Sequence, residues 1–117
     1  MTDSTTVAER YLLAMNAADI ESMMSPFAEG AVLRHPSGIY DSGARIREFF
    51  LELAFANDAR LTSQHSFQQE DTAVLEAWAE STLTPGRQWI VDVFRLDGSG
   101  LIEDLGVYLG APVEDSP

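Results

Sequence analysis

The sequence contains no cysteine and no lysine. The first absence removes disulfides, thiolate nucleophiles and cysteine-ligated metals, and it leaves the redox compartment open. The second removes Schiff-base chemistry and a pyridoxal cofactor, because all seven basic residues are arginines. Positive charge is scarce as well: nineteen acidic residues set the net charge at −12. A field of that sign, with no run of arginines, repels phosphate backbones and anionic lipid, so neither nucleic acid nor membrane is expected as a partner. No apolar run approaches the ~20 residues of a membrane span. The polar start carries Asp3 instead of the basic flank of a signal peptide, so a cytoplasmic location is expected. Neutral or weakly polar ligands remain. What is present is a hydrophobic share of 45% in 117 residues, enough for one core and not two. A single domain over residues 1–110 is expected, followed by a frayed acidic tail over 111–117.

Apolar residues at helical spacing (Val7, Tyr11, Ala14, Met15, Ala18) predict a first helix, with Thr6 and Glu9 spaced as a capping box. Asp19 offers the cap of a short second helix that Pro26 closes. Residues 27–30 read as a turn into a short strand over 31–35, stopped by Pro36-Ser37-Gly38. Ser42 caps a third helix with Ile46, Phe49, Phe50, Leu53 and Ala54 on one face, ending near Asn57-Asp58. The period then switches to two. Strands are expected over 59–68, 72–83, 88–96 and 101–110, with turns at residues 84–87 and 97–100. The class is α+β: three N-terminal helices packed on a curved, mostly antiparallel sheet, with a pocket between the layers.

Several strings occur together in order: residues 10–19 (RYLLAMNAAD), 27–32 (FAEGAV), 35–38 (HPSG), 46–50 (IREFF) and 92–96 (DVFRL). This pattern resembles the ketosteroid isomerase, or steroid delta-isomerase, branch of the NTF2-like (SnoaL-like) superfamily, from about Val7 to Gly110. The resemblance implies a cone-shaped barrel, an apolar pocket, and a homodimer paired through the outer sheet face. It also implies a catalytic set of helix-one tyrosine, acidic base at the end of the first strand, and protonated aspartic acid on a late strand. Tyr11 and Asp92 match; His35 stands where the acidic base would be, still followed by Pro36. The third helix, the loop before it and the second hairpin look slightly short for the family.

Asp92 shares strand parity with Ile90 and Phe94 and is expected to face the pocket, where an apolar site keeps a carboxylic acid neutral and able to donate, as in those isomerases. The alternative is a sheet-edge Asp paired with Arg95 or Arg87. Tyr11 is expected to donate beside it, two donors on one carbonyl oxygen making an oxyanion hole; otherwise it is a core tyrosine. His35 suits proton abstraction next to that carbonyl, or is a strand-end histidine bonded to backbone or water. Phe27, Phe50, Phe94, Leu105 and Leu109 are candidates for the pocket wall. His65 shares parity with Leu61 and Phe67, near the pocket or on the surface. Glu76, Trp78 and Glu80 mark an outer, dimer-facing surface, with Glu76 opposite Arg95. Two histidines thirty positions apart give no zinc spacing, so neither metal nor cofactor is expected. The residues point to a cofactor-free enzyme that isomerises or enolises a hydrophobic ketone. The alternatives are a cyclase or epoxide-opening enzyme, in which Asp92 protonates an oxygen, and a non-catalytic binding protein.

Overall fold

The structure, a computed structural model, describes residues 6–113. Thr6 Oγ1 accepts the Glu9 N–H at 3.2 Å and starts α1 (Val7–Ala17), whose buried residues Val7, Ala8, Tyr11, Ala14 and Met15 face the core. Asp19 caps α2 (Ile20–Met24) by accepting from the Ser22 N–H. Ser42 does the same for α3 (Gly43–Glu48) through Arg45. The third helix is not one regular α-helix. It widens into a π-helical turn (Phe49–Ala54) and closes as a 3₁₀ turn (Phe55–Asn57) before Asp58 takes the left-handed conformation. Such π segments are frequent at functional sites.

The strands are β1 (Phe27–His35), β2 (Gly38–Tyr40), β3 (Arg60–Gln69), β4 (Thr72–Ser81), β5 (Thr84–Leu96) and β6 (Ile102–Val113). They form one sheet in the order β2-β1-β6-β5-β4-β3. All neighbours are antiparallel except β1 and β6. The helices cover one face, and Leu33, Ile46, Phe50, Leu75, Phe94, Ile102 and Leu105 pack fully buried between the layers. Among the described residues no helix is long and apolar enough to cross a membrane.

Several expectations need correction. Residues 27–30 are not a turn but the first part of β1: Gly30, with φ +81°, sits at a bulge in the parallel pairing with β6. Pro36-Ser37 does not end the sheet; it links β1 to the short β2, with His35 opposite Gly38. The β4–β5 turn falls at Thr82-Leu83, not at residues 84–87, because Ser81 pairs with Thr84 and the Thr82 N–H is bonded to the Asn57 carbonyl at 2.9 Å. That register sets Glu76 opposite Val91 and Thr72 opposite Arg95. A bulge between Ser63 and His65 reverses the parity of β3, so Leu61 is buried while His65 and Phe67 lie exposed on the other face. Residues 111–113 of the expected tail extend β6 against Arg87 and Gln88; residues 114–117 lie outside the described residues.

Candidate active site

Between α1, the π-helical turn and the inner face of the sheet lies a cavity of about 230 Å³. Its wall is apolar, built by Met15, Phe49, Leu53, Leu61, Leu83, Ile90, Val107 and Leu109; Tyr11 and His35 enter it, and Glu80, Ser81, Thr84 and Gln88 also line it. The volume falls just below the ~300 Å³ at which pockets for drug-sized ligands begin.

Asp92 is placed by strand parity. Ile90, Asp92 and Phe94 turn to the core, with Leu75 and Val107 as the cross-strand neighbours of Asp92. It is 0% exposed, and neither carboxyl oxygen has a hydrogen-bond partner among the described residues. The pairing with Arg95 or Arg87 does not occur: both stand at outward register positions. A buried carboxylate without partners is strongly disfavoured, so desolvation pushes this group up to about 8 and keeps it protonated at neutral pH. Asp92 does not itself line the cavity. It lies one layer behind, next to the lining residues Ile90, Val107 and Tyr11.

Tyr11 is buried on α1 and held edge-on by Phe94 at 5.1 Å and Phe50 at 6.0 Å between ring centroids. Burial, and then the neighbouring Asp92 carboxyl, push its hydroxyl well above the ordinary tyrosine range, so it stays a donor. His35, half-buried at the end of β1, packs on the Phe49 ring at 4.9 Å. Its Nδ1 accepts the Ser37 N–H at 3.0 Å and lies 2.8 Å from Ser37 Oγ. Burial lowers its pKa, favouring the neutral ring.

The structure therefore brings Tyr11 and His35 to one cavity with Asp92 behind it. Of the five residues expected to wall the pocket, only Leu109 does. Phe50, Phe94 and Leu105 are fully buried behind the wall, and Phe27 packs on Phe50 at 6.0 Å, also away from the cavity. Sequence reasoning missed Phe49 and Leu53 as wall residues, and Ser37 and Tyr40 around His35. The π turn that aims the first two has no period in the sequence, and the last two read only as a loop.

The family model described as the SnoaL-like domain matches residues 8–104. Among solved structures, a candidate ketosteroid isomerase from Kribbella flavida superposes with a TM-score of 0.78 at 18% identity, covering 94% of this chain and 79% of that one. SalBIII, an epoxide hydrolase/cyclase-like enzyme of pyran ring formation in the polyether salinomycin, superposes at 0.73 with 25% identity, over 86% and 84%. RV0760c from Mycobacterium tuberculosis, in complex with estradiol-17beta-hemisuccinate, gives 0.74 at 18% identity, over 86% and 88%.

Proposed function

Because the chain belongs to the SnoaL-like domain family of the NTF2-like superfamily, and because its cavity is apolar with proton-bearing groups at its end, we propose that it catalyses proton transfer on a small hydrophobic ketone. The carrying observation is Asp92: a fully buried carboxyl next to Tyr11, with no hydrogen-bond partner among the described residues and with its protonated form favoured by desolvation. An unsatisfied buried polar group costs about 1–3 kcal/mol; Tyr11, which lines the cavity, would donate to the ligand oxygen, and the Asp92 carboxyl behind it would find its partner in the Tyr11 oxygen. Tyr11, backed by Asp92, then stabilises the enolate as charge develops on that oxygen, while His35, in the tautomer that leaves Nε2 bare, moves the proton between carbons. Among the described residues the wall carries no arginine, which disfavours an anionic substrate. The chemistry calls for no cofactor.

The test is hydrogen–deuterium exchange next to the carbonyl, and conjugation of a β,γ-unsaturated cyclic ketone followed by absorbance, with a ketosteroid as the larger arm. Tyr11→Phe should lower kcat by about 10²–10³-fold, the usual loss for one oxyanion donor, and Asp92→Asn, which acts through Tyr11, by a smaller factor. Exchange in none of the ketones would overturn the reading.

A second reading, opening of an epoxide or cyclisation onto it, is favoured by one contact. The Ser37 N–H on Nδ1 leaves the His35 proton on Nε2, so the resting cavity holds two donors, Tyr11 and His35, and suits protonation of an oxygen. Turnover of a hydroxy-epoxide without ketone exchange would select it.

The proposal includes a homodimer through the outer sheet face. Phe67 is 63% exposed there and Tyr108 52%, and Trp78 stacks on Trp89 at 3.6 Å under the Arg87 guanidinium. Arg34 pairs with Asp104 at 2.8 Å and Arg95 stands opposite Asp104 in the β5–β6 register, so arginines and acids offset one another on this face in a chain of net charge −12.

A further inference from the structure

Two hollows meet at one wall. The cavity and a second hollow of about 220 Å³, lined by Ser37, Tyr40, Glu48 and Glu52, share Phe49 and Leu53. His35 stands at that wall, lining the cavity with its ring while its Nδ1 edge meets Ser37. The Ser37 N–H donates to Nδ1 at 3.0 Å, and a main-chain N–H acts only as a donor. Nδ1 is therefore bare in the neutral ring, and the proton sits on Nε2, the nitrogen left for the cavity. Ser37 Oγ lies 2.8 Å from the same Nδ1, and the Tyr40 hydroxyl 2.8 Å from Ser37 Oγ. All these contacts are hydrogen bonds at once only if Tyr40 donates to Ser37 Oγ and Ser37 Oγ donates to Nδ1.

We infer that Ser37 and Tyr40 form a proton wire between His35 and the outer hollow, through which His35 gives and takes protons at the cavity without bearing charge. As the Nε2–H bond breaks and its proton bonds to a substrate oxygen, Nδ1 takes the Ser37 Oγ proton. Ser37 takes the Tyr40 proton, and Tyr40 regains one from water in the outer hollow, leaving a hydroxide that takes its proton back through the wire when Nε2 accepts one from the substrate. One proton enters for each delivered. The ring is left with Nδ1–H and a lone pair on Nε2, able to accept in the reverse stroke. A ring holding both protons would be an imidazolium, which burial disfavours, and it would set Nδ1–H against the Ser37 N–H. The Nδ1–H form gives up that main-chain bond as well, which drives its return. The titratable groups around the wire are Glu48 and Glu52 in the outer hollow, and Tyr11 and Glu80 in the cavity. The Arg45 guanidinium lies over the Tyr40 ring at 5.5 Å. Ser37 and Tyr40 are positioning residues, since His35 stands between them and the cavity.

The catalytic consequence rests on the proton-transfer reading; the wire itself does not, so two measurements separate them. In the ligand-free protein near pH 7.5, ¹⁵N spectra of the His35 ring should show bare Nδ1 and protonated Nε2. Ser37→Ala should move the Nδ1 signal by removing one of its two donors. A protonated Nδ1, or an Nδ1 signal that Ser37→Ala leaves in place, overturns the wire whatever the substrate. With a turned-over ketone or epoxide, Ser37→Ala and Tyr40→Phe should each lower kcat about 10–100-fold, leave KM unchanged and reduce the solvent isotope effect, while Ser37→Thr keeps kcat and the isotope effect at their wild-type values. If His35→Ala abolishes turnover but Ser37→Ala and Tyr40→Phe leave kcat and the isotope effect as they were, the wire is refuted and the activity stands.

Discussion

A carboxyl group without a partner makes its whole surroundings pH-sensitive, and Asp92 provides the measurement. In the unfolded chain it ionises in the ordinary carboxylate range; in the folded protein it holds its proton up to about 8. Between those limits the folded state binds more protons than the unfolded one, so stability falls as pH rises, and the loss is complete once Asp92 ionises in place. The group alone accounts for a loss on the order of 5 kcal/mol, a large part of the ~5–15 kcal/mol that holds a domain together. Asp92→Asn keeps the shape and cannot ionise. In urea titrations across this range, the variant should gain on the wild type steadily from about pH 4 to about pH 8 and then hold its advantage. Parallel midpoints at every pH would mean that the carboxyl is not desolvated. The sequence already pointed to this residue, because parity with Ile90 and Phe94 places an acid among core side chains. It could not supply the depth: whether Asp92 meets the cavity or lies behind Ile90 and Val107 depends on the curvature of the sheet.

Elements are held to one another by a few polar clamps that no periodicity announces. Asn16, near the end of α1, bonds the main chain of Leu61 in both directions: its Nδ2 donates to the Leu61 carbonyl at 2.8 Å, and its Oδ1 accepts the Leu61 N–H at 2.8 Å. It pairs with edge strand β3 as a neighbouring strand would. Asn16→Ala should cost about 1–3 kcal/mol, read as a melting point several degrees lower and as faster hydrogen exchange at the Leu61 amide. Thr82 does the same for the β4–β5 hairpin by binding Asn57 through its N–H and its hydroxyl. That is why the turn sits at Thr82-Leu83 although Pro85-Gly86 carries the stronger local signal. Helix starts were legible because a cap is local: Thr6, Asp19 and Ser42 all cap as read. The β3 bulge, the π turn and β2 were not, since each is decided by what packs against it. Phe49, on that π turn, tests the packing of the site. Phe49→Leu, and more strongly Phe49→Ala, should hydrate the His35 ring and raise its pKa toward the ordinary value, because burial is what lowers it. An NMR titration in which neither variant moves His35 would assign the lowering to another cause.

For the whole molecule, the outer sheet face is the surface that a second copy would cover. Five long strands at ~4.8 Å spacing, each ~10 residues at ~3.3 Å, present roughly 800 Å², which is the ~800 Å² per partner of a standard interface. Association must overcome repulsion between two chains of −12 each, and that repulsion acts between the distant acidic surfaces, not across the face on which arginines and acids offset one another. Salt shortens its reach to about 10 Å at 0.1 M. Dimerisation should therefore strengthen on adding salt, opposite to an interface held by ion pairs, and the contact itself should rest on the stacked Trp78 and Trp89. Sedimentation equilibrium should give a species of twice 12.9 kDa that becomes monomeric in Trp89→Glu and Val91→Glu, both outward on β5 and away from the cavity wall. Activity per chain in those monomers should be retained, because Tyr11, His35 and Asp92 all come from one copy. A wild type that stays at 12.9 kDa over the whole concentration range, or a dimer that salt dissociates, would remove the sheet-face pairing and leave the cavity chemistry untouched.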